Sequence, residues 1–423
     1  MTRPAAEKER ETVEGPAAPA ARGLDALFAE RAAHGPQAIA FVDQPARESW
    51  CGRPRIAWSY GAAEPIVARL SAFFDSLGLP PAAPVAVCLP AGSEALLTLL
   101  ALERAGLTPC LLPLAWPRDD LARAVEATGA VAVVTQSWIG SLKPAETFRD
   151  IAMAYYGLRF VLGFGPQTPD GVLDLDRVMI DERPILAGRG EPTPPPAEAP
   201  PEPGLVTLAR REDGIVAAWR PASSWIAAAS DFLAIARYRP EERILSLVAP
   251  DDLVGLVTGF VGSLLVGAPL ESHGLFDGPA LAAALAQEHE TRLVAPGWME
   301  PALAAAALPA CVTGLVLTHA APTRFRARTG LARPVVDVLA LEPWALVSRP
   351  RGRSGQVAIR LDEGSDAGAG LLVRRDETGL LAVSGAAAAA RLYTRGYVRA
   401  EDDDWRPTGY RADVFAGIVI GVA

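Results

Sequence analysis

Lysine is nearly missing from this chain of 423 residues: of 40 basic side chains only Lys8 and Lys143 are lysines. Any anion chemistry beyond Lys143 must therefore use arginine, whose planar fork is wider and differently directed than a compact ammonium. Cysteine is scarce too. Cys51, Cys88, Cys110 and Cys311 show no paired metal-ligand spacing, and a chain of this length needs no disulfide staple, so a reducing cytoplasm fits best. No basic run is interleaved with aromatics, and the formal charge is -9, which excludes a nucleic-acid surface. Residues 1–22 are rich in Ala, Pro and Glu and lack the apolar core of a signal peptide; they read as a disordered tail. One uncharged stretch, Leu253 to Leu270, approaches the length of a membrane span. Its Gly255, Gly259, Gly262 and Gly267 instead suit a helix pressed against a sheet, so a buried helix is expected and no membrane span.

What is present is a large apolar fraction, 50%, with 21% charged residues, enough for two or three packed units. Apolar runs and helical periodicities alternate at short intervals. Helices are expected from Leu24, over Gly61 to Leu77 with Ser59 as cap, over Ser93 to Ala105, and over Asp119 to Thr128. Strands are expected at Ala38 to Val42, Val85 to Leu89, Leu107 to Leu112 and Val131 to Thr135. The pattern predicts an α/β fold with parallel sheets covered on both faces and ligands near the carboxyl ends of the strands. A proline-rich linker, 183–203, separates a first α/β subdomain (23–182) from a second (204–340). From 341 to 423 the texture changes to short strands broken by Gly and Asp turns, a small β-subdomain. At the centre, Leu205 to Leu208 reads as a strand, Ala209 to Trp219 as a turn region, and Ser223 or Ser224 as the cap of a helix through Arg237.

Several phrases, in order, resemble the N-terminal domain of the adenylate-forming superfamily, the acyl-CoA synthetases and adenylation domains. They are Val85-Ala86-Val87-Cys88-Leu89-Pro90-Ala91-Gly92-Ser93-Glu94, Arg292 to Met299, Leu315 to Pro322, and Trp405-Arg406-Pro407-Thr408-Gly409. The resemblance implies two doubly wound α/β subdomains plus a small β-subdomain. It also implies a site in which ATP and a carboxylate form an acyl adenylate. Its phosphate loop would fall at Thr207 to Arg220, where only Thr207 and Gly214 are of the expected types and Arg210 or Arg211 would have to replace the lysine. The adenine side would fall at His319, Ala320, Ala321 and Pro322, the ribose side at Thr408 and Tyr410, and the magnesium-side acid at Glu342.

Against that pattern the chain is degenerate. The loop has no lysine but carries Glu212 and Asp213, which repel a triphosphate. The family's ribose carboxylate is replaced by Tyr410, a phenol that donates one bond and fills space. Glu342 reads equally as a metal-side acid or as a solvated turn acid before Pro343. His319 stands where a glycine is usual, so its ring obstructs a nucleotide; a packed, hydrogen-bonded histidine is expected rather than a base. His273 and His289 are assigned surface roles, and Asp251-Asp252 an N-cap. The chain ends at Ala423, about where the resemblance places the C-terminal lid domain with its second lysine, so that domain is expected to be absent. The expected protein is acyl-CoA synthetase-like but a pseudoenzyme. No cofactor is expected, ATP or AMP and Mg entering only if it is active. Its partners would be an acyl ligand, a carrier protein or an active synthetase. The alternatives are a ligase completed by a separate C-terminal polypeptide and a structural subunit with a filled pocket.

Overall fold

The computed structural model describes residues 22–180, 202–212, 214–325, 330–352, 359–360, 370–399, 405–416 and 418–423. The tail 1–21 and nearly all of the linker 183–203 lie outside these residues. The parallel heart of a nine-stranded sheet is Pro84–Val87, Thr108–Leu111, Ala132–Gln136 and Phe160–Phe164. Every residue of the first three of these strands is buried, as continuous apolar runs require when helices cover both faces. Helices Tyr60–Ser76 and Ser93–Arg104 cover one face, and Arg118–Thr128 and Pro144–Ala154 the other. Ser59 caps the first of these by accepting from the Ala62 amide. Helix Pro144–Ala154 and strand Phe160–Phe164 were not among the expected elements.

An eight-stranded sheet contains Arg243–Ser246, Leu270–Ser272, Thr291–Pro296, Val312–Ala320 and Val335–Leu341. A third, six-stranded sheet contains Arg406–Phe415, Leu380–Ser384 and Ile418–Val422, so the α/β architecture carries its small β-layer. Sheet membership does not follow the segment boundaries expected at 182 and 204. Strand Ile39–Asp43 pairs in parallel with Leu270–Ser272 of the eight-stranded sheet. Strand Gly204–Arg211 pairs with Thr108–Leu111 and extends the nine-stranded one. The two halves thus exchange strands, because edge pairing depends on which backbone is left open in space, which no local pattern records.

The stretch from Leu253 is one continuous buried run, Leu253–Gly255, a π-helical segment Leu256–Val261, then Gly262–Val266. Gly267, at φ +85°, ends it in the left-handed conformation. Asp252 caps it, accepting from Gly255 N at 2.6 Å. Among the described residues no helix is long and apolar enough to cross a membrane.

A short helix that the sequence reading passed over, Arg47–Cys51, joins the two large sheets. Arg47 is 2% exposed and pairs with Asp43, at the end of a strand in one sheet, and with Glu94, on the first turn of the helix after Pro84–Val87 in the other. Arg53 extends the chain of charges from Glu94 to Asp176. Removing one member of a buried network leaves its partners desolvated and unpaired. Arg47→Ala is therefore expected to cost about 3–5 kcal/mol in urea unfolding, whereas the exposed pair partner Arg395→Ala is expected to cost less than about 1 kcal/mol.

Candidate functional site

The segment expected to cradle phosphates is a β-hairpin. Strands Gly204–Arg211 and Gly214–Pro221 pair antiparallel in unbroken register from Gly204↔Pro221 to Arg211↔Gly214. The expected turn region, Ala209 to Trp219, is thus mostly strand, because Ile215, Val216 and Trp219 favour a pleated, half-buried surface. Gly214, at φ +140°, supplies the turn conformation; Asp213 lies outside the described residues. Alternate amides of each strand pair across this ladder. The following helix, Ala222–Ala236, starts after Pro221 without a side-chain cap. The Ser223 hydroxyl reaches Glu202 and that of Ser224 reaches the Ala387 carbonyl, so neither caps it.

Two arginines of the hairpin grip one turn. Arg211 donates to the carbonyls of Glu342 (2.6 Å) and Thr408 (2.8 Å), and its guanidinium lies 4.0 Å from the Tyr410 ring centroid. Arg220, fully buried, donates to the carbonyls of Pro343 and Trp344, each at 2.7 Å, and to Ala387 O and Ser224 Oγ. Thr207 adds its hydroxyl to Pro343 O at 3.2 Å, and the Tyr410 hydroxyl donates to Glu342 O at 3.3 Å. Arg220 was not among the residues singled out from sequence; a lone charge in Ala217-Ala218-Trp219-Arg220-Pro221 was the available signal.

Around this knot lies a cavity of about 670 Å³. Of the residues singled out from sequence, Arg210, Arg211, Ala321, Pro322, Thr408 and Tyr410 line it together. Thr207, Gly214, His319, Ala320 and Glu342 are not in its wall. The His319 ring does not obstruct the cavity: it turns to Asp337 (2.8 Å), stacks edge-on against Phe325 and overlies Gly297, where a Cβ would strike it. Arg351 binds the same Asp337. Burial would raise the Asp337 carboxyl, but Arg351 and His319 hold it below the usual range. His273 is not a surface residue; it is buried, with Nε2 at 3.2 Å from Glu271.

Residues 28–163 match the sequence profile of the AMP-binding enzyme family. No curated protein sequence matches the chain. Solved structures match nearly all of it. MbtA of Mycobacterium smegmatis aligns at 19% identity over 95% of this chain and 76% of its own, with a TM-score of 0.71. O-succinylbenzoate coenzyme A synthetase (MenE) of Bacillus subtilis, in complex with AMP, aligns at 13% over 94% and 77%, at 0.70. The N-terminal subdomain of Klebsiella oxytoca NpsA, in complex with anthranilyl-AMSN, aligns at 14% over 95% and 99%, at 0.64. The chain has the fold of an adenylate-forming N-terminal domain.

Within that fold, several residues expected around a nucleotide contact one another. Arg211 covers Tyr410, the residue expected on the ribose side. Glu342 is not a solvated turn acid: both carboxylate oxygens are buried, and no side chain among the described residues bonds them. No group of three metal-ligating side chains occurs among those residues either.

Glu342 instead faces Asp251 and Asp252, with Arg220 the nearby cation. Burial, then repulsion from Asp252, holds its carboxyl well above the usual range against the pull of Arg220. Burial and Asp252 push Asp251 up to about 7, and burial pushes Asp252 up to about 6 against the Gly255 and Val254 amides. Between about pH 4 and pH 7 these three carboxyls hold more protons in the native state than in the unfolded chain, so their contribution to stability is greatest at the acid end and falls as pH rises through that window. Asp251→Asn is expected to flatten this fall. At about pH 8 it should stabilise the protein by on the order of 1 kcal/mol, allowing for the solvent that reaches this loop, as read from urea unfolding at about pH 5 and pH 8.

Proposed function

We propose that this chain is an acyl-CoA synthetase-like protein of the cytoplasm that has lost ATP-driven adenylation and acts by binding an acyl ligand or a partner enzyme. The observation that carries this reading is the closure of Arg211 onto the Glu342 and Thr408 carbonyls and the Tyr410 face. It spends a cation that would otherwise stabilise charge rising on phosphate. A well-placed cation there is worth several kcal/mol, roughly two to four powers of ten in rate. Titration calorimetry with magnesium and ATP is expected to give no heat of binding, and a panel of fatty, aromatic and amino acids no pyrophosphate release above background. Micromolar ATP affinity would overturn the reading.

One observation favours a second reading, a ligase completed by a separate C-terminal polypeptide. Arg210 lines the open cavity with a side chain 60% exposed, available to an anion. In that case pyrophosphate release appears when the second polypeptide is added, and alanine at Arg210, Arg211 and Glu342 abolishes it.

A further inference from the structure

The buried run that begins at Leu253 changes its hydrogen-bond register part-way along. Its first turn is α-helical, with the Leu256 N–H donating to the Asp252 carbonyl at 3.1 Å. Across Leu256–Val261 the turn widens to the π form, and the Gly262 N–H is shared between the Gly259 carbonyl and that of Val257, five residues back. In an α-helix that N–H would take the Thr258 carbonyl. The Thr258 carbonyl is thereby set free in the core, and the buried Tyr238 hydroxyl donates to it at 2.8 Å. Gly262 lets the wide turn close: a Cβ there would lie 2.8 Å from the Val257 carbonyl oxygen and 3.3 Å from the Tyr238 ring. Widened turns of this kind inside helices are rare and concentrate where a helix moves or binds.

We propose that this run is a two-register element, held in its π register by the Tyr238 hydroxyl. In the other register the Gly262 N–H takes the Thr258 carbonyl, Tyr238 is released, and the run becomes α-helical throughout. The Thr258 carbonyl has a donor in either register, so neither leaves a buried acceptor orphaned. The C-terminal end cannot follow the change. Arg31 holds the Leu264 and Leu265 carbonyls, and Gly267 ends the run at φ +85°. The shift therefore falls on the N-terminal end, by one residue, about 100° of rotation and about 1.5 Å of rise. That end carries the Asp252 cap on Gly255 and packs on strands Val335–Leu341 and Ala345–Pro350. The turn between those strands is the one that Arg211 and Arg220 grip, and its Trp344 lines the cavity. The register of the run thus sets one wall of the cavity, a device that goes beyond the binding role proposed above and does not depend on it.

The test compares the full chain with Tyr238→Phe, which removes the hydroxyl and keeps the ring. A crystal structure of the variant is expected to show Gly262 N bonded to the Thr258 carbonyl and Trp344 displaced from its wild-type position. In hydrogen exchange the Val254 and Gly255 amides are expected to lose at least tenfold of their protection, since the cap on Gly255 is broken, while those of Val294 and Val316 in the sheet keep theirs. Tyr393→Phe, at a second buried tyrosine whose hydroxyl has no partner among the described residues, is expected to change none of these. In the wild type, methyl relaxation dispersion at Val254, Val257 and Val261 is expected to report exchange between the registers on the microsecond-to-millisecond scale, with larger amplitude in Tyr238→Phe. A variant that keeps the Gly262 bond to Val257, unchanged protection at Val254 and Gly255, or flat dispersion in both proteins would each overturn the proposal. An α-helical variant with Trp344 unmoved would overturn the link to the cavity.

Discussion

Three consecutive carbonyls, those of Glu342, Pro343 and Trp344, are the point at which the three sheets of this protein meet. The turn belongs to the eight-stranded sheet, lying between Val335–Leu341 and Ala345–Pro350. Thr207, Arg211 and Arg220, which hold it, come from the edge hairpin of the nine-stranded sheet, and Tyr410 comes from the small β-layer. A buried carbonyl without a donor costs free energy comparable to a lost hydrogen bond, and a buried guanidinium costs more. Each satisfies the other here. The arginines are thus fixed by what they fix.

That closure sets the electrostatics around it. Arg220 spends its terminal N–H groups on carbonyls and a hydroxyl, so it faces the acids Glu342, Asp251 and Asp252 as a charge without a salt bridge. Burial lowers its own proton affinity to about 10, and the acids are pushed up. Arg220 and the three acids thus set one another's charge state within the chain.

The sequence was informative wherever a local rule acted alone. The Ser59 cap, the apolar strands of the nine-stranded sheet and the buried run from Leu253 are each recorded in nearest-neighbour pattern. The N-cap at Asp252 was legible for the same reason. The hairpin was not, because Ala209 to Trp219 lies where the resembled family has a loop, and the strand-forming run Ile215-Val216-Ala217-Ala218-Trp219 is too short to outvote that resemblance without its partner strand. Helix Arg47–Cys51 is too short for any period to register, so its network with Asp43 and Glu94 was invisible. His319 was correctly expected to be packed and hydrogen-bonded, yet its direction depends on Asp337, a strand away in the sheet.

By itself, then, the chain determined its α/β class, its many buried strands, the shortage of lysine and the phenol at Tyr410, because residue type and spacing are local properties. Only the tertiary structure decided which half each edge strand joins, that Arg211 and Arg220 are spent on the carbonyls of a turn more than a hundred residues away, and that Glu342 faces two acids rather than water. Those outcomes depend on which groups are left unsatisfied when the sheets come together, and a buried donor or acceptor takes the partner that packing brings within about 3 Å, whatever its distance along the chain.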